Sequence, residues 1–412
     1  LLLLLYALFI LAVTFRIRGV REPASFFVNN RTASARQVAL SIIVSCIGAS
    51  ATIGVVGKAF QIGLPAFWWL GAGSAGLLVL ALFLAEKVRE SGAYTLPQMA
   101  ETFLGPKARP LISLCIVVAW MGILAAQFSA LEQVLISLTG WPPAFCLGLA
   151  FALIAMHSLG GQAAIMRLDS LQSLVMIAGL VIVLAWLWVN NPAWTSGVAI
   201  EAVNDSFGYR ELVYYLLIVG GNYLVCPMLF GRFFSARDAR TARRGGLYAA
   251  FGLALCSLLI VSIGLAGVGL IPGDTRPDEV FTGILGMVSP EWLQPLILVA
   301  LVSAIVSSAD TCLLTATTVF CHDLVGSGDM RVCRYSLLGL AFTGLLLSCL
   351  GKGILELLLM AYDIYVCGVV VPVFIGLLAK RCWCIASRHA CAAIIAGGVC
   401  GGMSAVTGDT VY

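Results

Sequence analysis

The segment Ala304-Ile305-Val306-Ser307-Ser308-Ala309-Asp310 lies inside an apolar run that covers about residues 291–324. Hydroxyl and carboxylate groups are unusual in a run of this hydrophobicity. At about 100° per residue, the polar and small residues of the run fall on one stripe of a helix, and the other side is Leu and Val. The stripe comprises Ser303, Ala304, Ser307, Ser308, Asp310, Thr311, Thr315 and Thr318. This pattern predicts a membrane-spanning helix with oxygen ligands along one face.

The composition of the whole chain indicates a membrane protein. Of 412 residues, 61% are hydrophobic and only 11% are charged, and the mean hydropathy is +1.02. Too few polar residues are present to cover a soluble domain of this size. Apolar runs of roughly 20 residues are long enough to cross a bilayer as helices. We therefore predict an all-α polytopic membrane protein.

We predict about twelve transmembrane helices, the first of which covers about residues 1–16. Three arginines follow that run at positions 16, 18 and 21, whereas the basic residues of a signal peptide would precede it. The other eleven, which we number core helices 1 to 11, are expected near 38–62, 65–87, 109–138, 143–159, 166–190, 210–231, 243–271, 291–324, 333–351, 354–379 and 387–406.

The charge distribution predicts the orientation of these helices. If the loop after the first helix is cytoplasmic, the inner loops hold 20 of the 24 Lys and Arg residues. Only Lys58, Arg210, Arg276 and Lys352 fall outside. We therefore expect a multi-pass protein of the plasma or inner membrane with its amino terminus outside. Loops near anionic lipid explain the net charge of +4, so that no nucleic-acid partner is required.

The sequence offers no sign of an enzyme. Most of the 14 cysteines, such as Cys115 and Cys256, lie in apolar runs, where a thiol behaves as a small hydrophobe. Cys382-Trp383-Cys384 and His389 do not match a zinc-binding spacing. Neither a phosphate-binding loop, a nucleophile elbow nor a paired-carboxylate site is apparent. We therefore predict no enzymatic activity.

Core helices 1 to 5 and 6 to 10 form two sets of five. Because five is an odd number, the second set enters the membrane from the opposite side, which is the geometry of an inverted repeat. The first helix of each set contains residues that can break a helix: Gly48 and Gly54 in core helix 1, and Gly220-Gly221-Asn222 and Pro227 in core helix 6. Alternatively, the glycines permit close helix packing.

The expected organisation has five parts. They are a preceding helix with a cytoplasmic loop (1–37), the first five-helix repeat (38–190), an extracellular loop (191–209), the second five-helix repeat (210–379) and an additional helix (380–412).

The polar stripe and the break in core helix 1 together predict a sodium site. Sodium is a hard cation, and hard cations take oxygen ligands. Ser307 and Ser308 follow the carbonyl of Ala304 by one turn, and backbone carbonyls exposed at the break could complete the shell. Alternatively, the hydroxyls bond back to their own helix and simply pack. Asp310 favours a functional interpretation, because an unpaired carboxylate at mid-membrane costs at least about 2.5–3.5 kcal/mol.

Several motifs together resemble the sodium:solute symporter family, whose members include proline, pantothenate and sodium/glucose transporters. The resemblance covers almost the whole chain and implies the LeuT-type fold of two five-helix inverted repeats, with one preceding and one following helix. The motifs, in chain order, are Ile53-Gly54 followed by Gly63-Leu64, Gly92-Ala93-Tyr94-Thr95-Leu96-Pro97, Gly160-Gly161 with Asp169 and Gln172, Pro227 with Arg232, and Ala304 to Asp310.

The resemblance also implies which atoms bind the coupling ion. One sodium is expected at the backbone carbonyls of Val44, Ile47 and Ala304 and the hydroxyls of Ser307 and Ser308. Some relatives bind a second sodium, and the matching positions here are Asp169, Ser307, Asp310 and Thr311. Asp310 could instead carry a proton or form a structural pair.

The fold implied by the resemblance places the substrate pocket among core helices 1, 2, 3, 6 and 10. The expected lining residues are Ser45, Cys46, Ser50, Trp68, Trp69, Gln127, Asn222, Tyr223, Tyr362 and Asp363. The aromatic residues could equally serve packing, and Asp363 could either favour an amine-bearing solute or cap a helix break.

The expected substrate is an amino acid or a similar small polar solute. A glutamate in core helix 2 and a lysine in core helix 7, which contact the sugar in sugar-transporting relatives, are not evident. We also expect no Arg or Lys at mid-membrane to pair with a dicarboxylate, although the amino end of a broken helix could hold one carboxylate.

The predicted function is sodium-coupled symport by alternating access, with a small molecule and the lipid bilayer as partners. Sodium bridging core helices 1 and 8 would stabilise a state competent for substrate, so that each ligand raises affinity for the other. Two other classes remain open. A sensor with the transporter fold would need an output domain, and a proton-coupled or uncoupled transporter would lack a complete sodium shell.

Overall fold

The computed structural model describes residues 22–190, 201–287, 293–350, 354–379 and 387–407. Throughout these ranges the chain is helical and contains no β-strand. The α-helices are α1 (Pro23–Val28), α2 (Ala35–Cys46), α3 (Val55–Ile62), α4 (Trp68–Phe83), α5 (Ala85–Glu90), α6 (Leu96–Leu104), α7 (Ala108–Thr139), α8 (Pro143–Ser158), α9 (Gly161–Asn190), α10 (Tyr209–Leu224), α11 (Pro227–Ser235), α12 (Ala239–Gly267), α13 (Pro277–Met287), α14 (Leu293–Val319), α15 (Met330–Ser348), α16 (Ile354–Tyr365), α17 (Val371–Ala379) and α18 (Ser387–Thr407).

The helices agree with the predicted architecture. Each of the eleven core helices corresponds to one helix or one broken pair of helices in the described ranges, whereas the helix expected at 1–16 lies outside them. Eight described helices are long and apolar enough to span a bilayer, and the bent pair of core helix 1 makes a ninth. The prediction of an all-α polytopic membrane protein is confirmed.

Core helix 1 is broken where the sequence predicts. The direction changes by 64° between Ala35–Cys46 and Ser50–Ile62, and a π-helical turn, Ser50–Gly54, begins the second half. At the break, a Cβ atom added to Gly48 would lie 2.6 Å from the Ser308 hydroxyl oxygen and 2.7 Å from Gln127 Oε1. The glycine therefore lets this backbone lie directly against α14.

Core helix 6 is broken later than the glycines suggest. α10 continues through Gly220 and Gly221, and the extended residues are Val225 and Cys226, immediately before Pro227. Proline has no N–H to donate and disfavours helical geometry in the preceding residue, which explains this position. Gly220 instead permits close packing, since a Cβ added to it would lie 3.1 Å from the Ala72 carbonyl oxygen of α4.

The polar stripe faces protein. α14 packs against α7 and α9, and 94% of its most apolar 18-residue stretch is buried. Because lipid reaches so little of this helix, its serines, threonines and aspartate must find partners inside the bundle.

Two structural features have no counterpart in the predicted organisation. α13 packs on α3, where a Cβ at Gly57 would lie 2.1 Å from the Pro277 carbonyl oxygen. A π-helical segment, Val366–Val370, separates α16 from α17 within core helix 10.

Candidate functional site

The break in core helix 1 and the middle of α14 meet at Ser308. Its hydroxyl donates a hydrogen bond of 2.7 Å to the Ser45 carbonyl oxygen and lies 3.5 Å from the Val44 carbonyl oxygen. In a continuous helix the Ala49 N–H would donate to Ser45, but here it donates to Gln127 Oε1 at 3.0 Å. The break thus frees a backbone oxygen beside a buried hydroxyl.

The remaining predicted sodium ligands lie around this contact. Ile47 is the first residue of the break, with non-helical φ and ψ of −101° and 67°, and Ala304 lies one turn before Ser308 on α14. The Ser307 hydroxyl turns toward α9 and donates to Asp169 Oδ1 at 2.6 Å. A donating hydroxyl keeps its oxygen lone pairs, so this bond leaves Ser307 able to ligate a cation.

A buried cluster surrounds the other oxygen of Asp169. Asp169 Oδ2 accepts from the Ser41 hydroxyl and from Arg232 Nη2, the latter at 3.3 Å. Arg232 also donates through Nε to Ser41 at 3.0 Å, and through Nη2 to Ser45 Oγ at 3.0 Å and Thr311 Oγ1 at 2.6 Å. One guanidinium therefore ties α11 to α2, α9 and α14.

The structure places Arg232 inside the helix bundle. Arg232 is 1% exposed, although the charge count had assigned it to an inner loop. The physical reason is the helix break. α11 begins at Pro227, and Arg232, five residues later, is therefore still inside the bundle. The Pro227 and Arg232 motif was the available signal, and counting apolar runs could not locate it.

Asp310 faces a different neighbour. Its Oδ1 accepts from the Ser158 hydroxyl at 3.0 Å, and its Oδ2 contacts His157 Nδ1, both on α8. Both members of the Asp310 and His157 pair are fully buried. Of the positions matched to a second sodium, Asp169, Ser307 and Thr311 thus meet near Arg232, whereas Asp310 points to α8.

A small cavity lies between the two helix breaks, α7, α14 and α16. Its volume of about 40 Å³ is enough for little more than water. Seven predicted residues line it: Ser45, Cys46, Ser50, Gln127, Asn222, Tyr223 and Tyr362. Sequence reasoning named Gly48 and Ser308 for other roles and missed Trp120, Ile123, Cys226, Met228, Leu229, Cys312 and Leu358.

The other three predicted pocket residues are not in the lining. Trp69 is one layer away, stacked on Tyr362 with ring centroids 6.4 Å apart. Trp68 turns outward, and its indole N–H donates to the Ala202 carbonyl at 2.9 Å. Asp363 is on α16, where its backbone carbonyl lies against Gly401 of α18. Within the described residues, the cavity lining carries no charged side chain.

Comparison of sequences identifies relatives with related activities. The sodium/glucose cotransporter of Vibrio parahaemolyticus is 23% identical over 382 residues, covering 80% of this chain and 69% of that protein. The sodium/pantothenate symporter of Haemophilus influenzae is 24% identical over 330 residues, covering 73% and 65%. The chain spans about two thirds of the length of these relatives.

Comparison of structures identifies the fold. A Na⁺-coupled sialic acid symporter in a substrate-bound outward-open state aligns with a TM-score of 0.78 at 14% identity, covering 98% of this chain and 97% of that one. MhsT in complex with L-phenylalanine aligns with a TM-score of 0.65 at 16% identity, covering 92% and 98%. These similarities show the LeuT-type fold.

The model of the Sodium:solute symporter family matches residues 26–327, which include both helix breaks and all of α14. With that match, the chain belongs to the sodium:solute symporter family.

Proposed function

We propose that this chain is a sodium-coupled symporter that imports a small polar, amino-acid-like solute across the cell membrane by alternating access. The observation that carries this proposal is the contact of Ser308 with the carbonyl oxygens at the break of core helix 1, beside the cavity. Family membership supports it independently.

The donor set at the break suits sodium. All of the candidate ligands are neutral oxygens: the carbonyls of Val44, Ile47 and Ala304 and the hydroxyls of Ser307 and Ser308. Such a set favours a hard, singly charged cation over a transition metal. Asp169 stays outside this set and orients the Ser307 hydroxyl by accepting a hydrogen bond from it, with an oxygen–oxygen distance of 2.6 Å.

We propose that the chain binds one sodium. The positively charged guanidinium of Arg232 already donates hydrogen bonds to oxygens of Asp169, Ser45 and Thr311, at distances of 2.6–3.3 Å. A second cation there would be repelled by the guanidinium. Asp310 is partnered by His157 and Ser158 and forms a structural pair in this account.

Coupling follows from residues that sodium and solute share. Ser45 and Ser308 line the cavity, and the Ser308 hydroxyl also lies 3.5 Å from the Val44 carbonyl oxygen, one of those proposed to bind the ion. Sodium would hold α2 against α14, one helix from each repeat, and thereby fix the wall that the solute touches. By linkage, solute binding must raise sodium affinity by the same factor.

The cavity chemistry supports an amino-acid-like solute. Met228 and Leu229 bring the first turn of α11 to the cavity, where helix N–H groups lack intrahelical partners and favour a carboxylate. Asn222 Oδ1 is buried and, among the described residues, has no hydrogen-bond partner, so that it can accept from a solute N–H or O–H group.

Uptake into proteoliposomes tests this function. Labelled amino acids, other monocarboxylates, sugars and polyols would be offered in sodium or potassium medium, with and without a pH gradient. We expect an inward sodium gradient to drive accumulation of at least one solute. Accumulation that follows the pH gradient and ignores sodium would contradict the proposal, as would solute binding without any flux.

A further inference from the structure

Among the residues that the structure describes, Lys58 of α3 is a cation without a carboxylate partner. Its ammonium donates a hydrogen bond of 2.6 Å to the Tyr215 hydroxyl and lies 5.2 Å from the centre of the Tyr215 ring. The lysine is half-buried, and no carboxylate of the described residues lies within 4.0 Å of it. Removing an ammonium from water without a counterion is costly, so that this arrangement needs an explanation.

Within the described part of the chain, the contacts of Lys58 use only some of its hydrogen-bond donors. An ammonium has three N–H donors, and the Tyr215 hydroxyl uses one of them. The Tyr215 ring adds a cation–π attraction, which compensates only part of the lost hydration. An anion that reached this position would therefore find a partly desolvated positive charge with free donors.

Nearby acidic residues are engaged elsewhere. Glu211, one turn before Tyr215 on α10, accepts from the Gly208 N–H at 2.9 Å and caps its own helix. Glu279 of α13, the helix packed on α3, lies 3.5 Å from Arg276. Both acidic side chains thus have local partners.

Aromatic rings connect Lys58 with the cavity. Tyr215 contacts Trp69 edge to face at 5.8 Å, and Trp69 stacks on Tyr362, which lines the cavity. The segment that begins at residue 201 covers this row from outside: Phe207 packs on Tyr215 at 5.2 Å, and Asn204 donates to the Ile62 carbonyl at 2.8 Å. A row of packed aromatic rings, covered by the segment at 201–208, therefore connects Lys58 with the cavity.

We propose that Lys58 is a specificity-determining residue that admits solutes carrying a carboxylate. When the outer cover opens, the ammonium binds the carboxylate and passes the solute along Trp69 and Tyr362 to the uncharged cavity. A charge in a narrow, poorly solvated entrance raises the local concentration of its counterion and disfavours like charges. This inference rests on the proposed symport function and narrows its substrate class.

Comparing four proteins distinguishes an effect of the Lys58 charge from an effect of the contact between Lys58 and Tyr215. They are the wild type, Lys58→Met, Lys58→Arg and Tyr215→Phe. Each would be reconstituted, and KM and kcat would be measured for sodium-driven uptake of carboxylate-bearing and uncharged solutes. We expect Lys58→Met to raise KM for carboxylates by about tenfold or more, with kcat and the uncharged solutes little changed. Lys58→Arg and Tyr215→Phe keep the charge and should keep the selectivity.

Three results would overturn the inference. They are an equal change in KM for charged and uncharged solutes in Lys58→Met, a loss of selectivity in Tyr215→Phe that matches Lys58→Met, and wild-type transport of uncharged solutes only. The last of these would leave the symport proposal intact. Loss of all sodium dependence in the wild type would instead overturn symport itself. A sodium-induced change in tryptophan fluorescence verifies that each variant is folded.

Discussion

Ser308 and Thr311 lie about one turn apart on α14, and their hydroxyls meet different partners. Ser308 donates to the backbone oxygen that the helix break exposes, whereas Thr311 accepts from Arg232 at 2.6 Å. Both surroundings are buried and rich in oxygen, but only the second contains a cation supplied by the protein. The number of oxygen ligands along a helix therefore does not determine how many cations bind, because a guanidinium of the protein can occupy one group of these oxygens.

Removing that guanidinium should produce the largest effect. Arg232→Met leaves Asp169 buried without a cation, which typically costs about 3–5 kcal/mol. We expect a clear fall in the thermal unfolding temperature of the purified protein, partly recovered when Asp169→Asn is added. Arg237→Met is the control, since Arg237 pairs with Asp238 at the surface and should matter little. Equal unfolding temperatures for Arg232→Met and Arg237→Met would show that the buried pair is not a stabilising centre.

Adding a side-chain atom at Gly48, where the break of core helix 1 lies against α14, should abolish the sodium dependence of uptake. A Cβ at Gly48 would collide with both side-chain atoms of Ser308, at 2.6 and 2.7 Å, and push α2 from α14. We expect Gly48→Ala to show no sodium stimulation of uptake. Gly148→Ala on α8 is the control, because an added Cβ there meets open space. Normal sodium stimulation in Gly48→Ala would break the link between close approach and ion binding.

The two hydroxyls themselves should differ in their effect on sodium. Ser308→Ala removes a proposed ligand, and we expect the sodium concentration for half-maximal uptake to rise about tenfold or more, equivalent to about 1.4 kcal/mol. Thr311→Val keeps the side-chain volume and removes an acceptor of Arg232 together with the 3.0 Å hydrogen bond to the Ser45 hydroxyl, but no proposed sodium ligand. A change below about threefold is therefore expected, equivalent to less than one hydrogen bond. If Ser308→Ala and Thr311→Val shifted the half-maximal sodium concentration to a similar extent, the proposed difference between the surroundings of the two hydroxyls would be wrong.

Asp310→Asn should have the smallest effect on ion coupling. Because Asp310 contacts His157 and Ser158 on α8, its loss is expected to leave the sodium Hill coefficient near one. Sodium titrations of uptake in the wild type and the variant measure this. A wild-type coefficient near two that falls in Asp310→Asn would instead place a second ion at this carboxylate.

Much of the fold could be predicted because the signals are local. Apolar runs locate the helices, an odd repeat implies inversion, and Gly48 indicates the break that the structure contains. The second break lies at Pro227, one of the two positions that the sequence offered, and not at the glycines. Gly220 looks like Gly48 in sequence, and only its packing against α4 reveals a different role. Composition cannot separate a glycine that breaks a helix from one that lets two helices touch.

The site was predicted less completely because it depends on helix phase and on contacts across the chain. Trp68 and Trp69 are adjacent, yet one bonds the outer segment and the other stacks on Tyr362, a difference set by where α4 begins. Arg232 resembles a loop arginine until the position of the α11 start is known. Contacts 63 or more residues apart, such as that of Arg232 with Asp169, have no signature in hydropathy.

Equilibrium binding of radioactive sodium to the purified protein tests the central claim most directly, because it requires no knowledge of the solute. The account predicts one sodium per chain in the wild type and in Asp310→Asn, and loss of that binding in Ser308→Ala at the same sodium concentration. Two sodium ions per wild-type chain, or undiminished binding in Ser308→Ala, would contradict it.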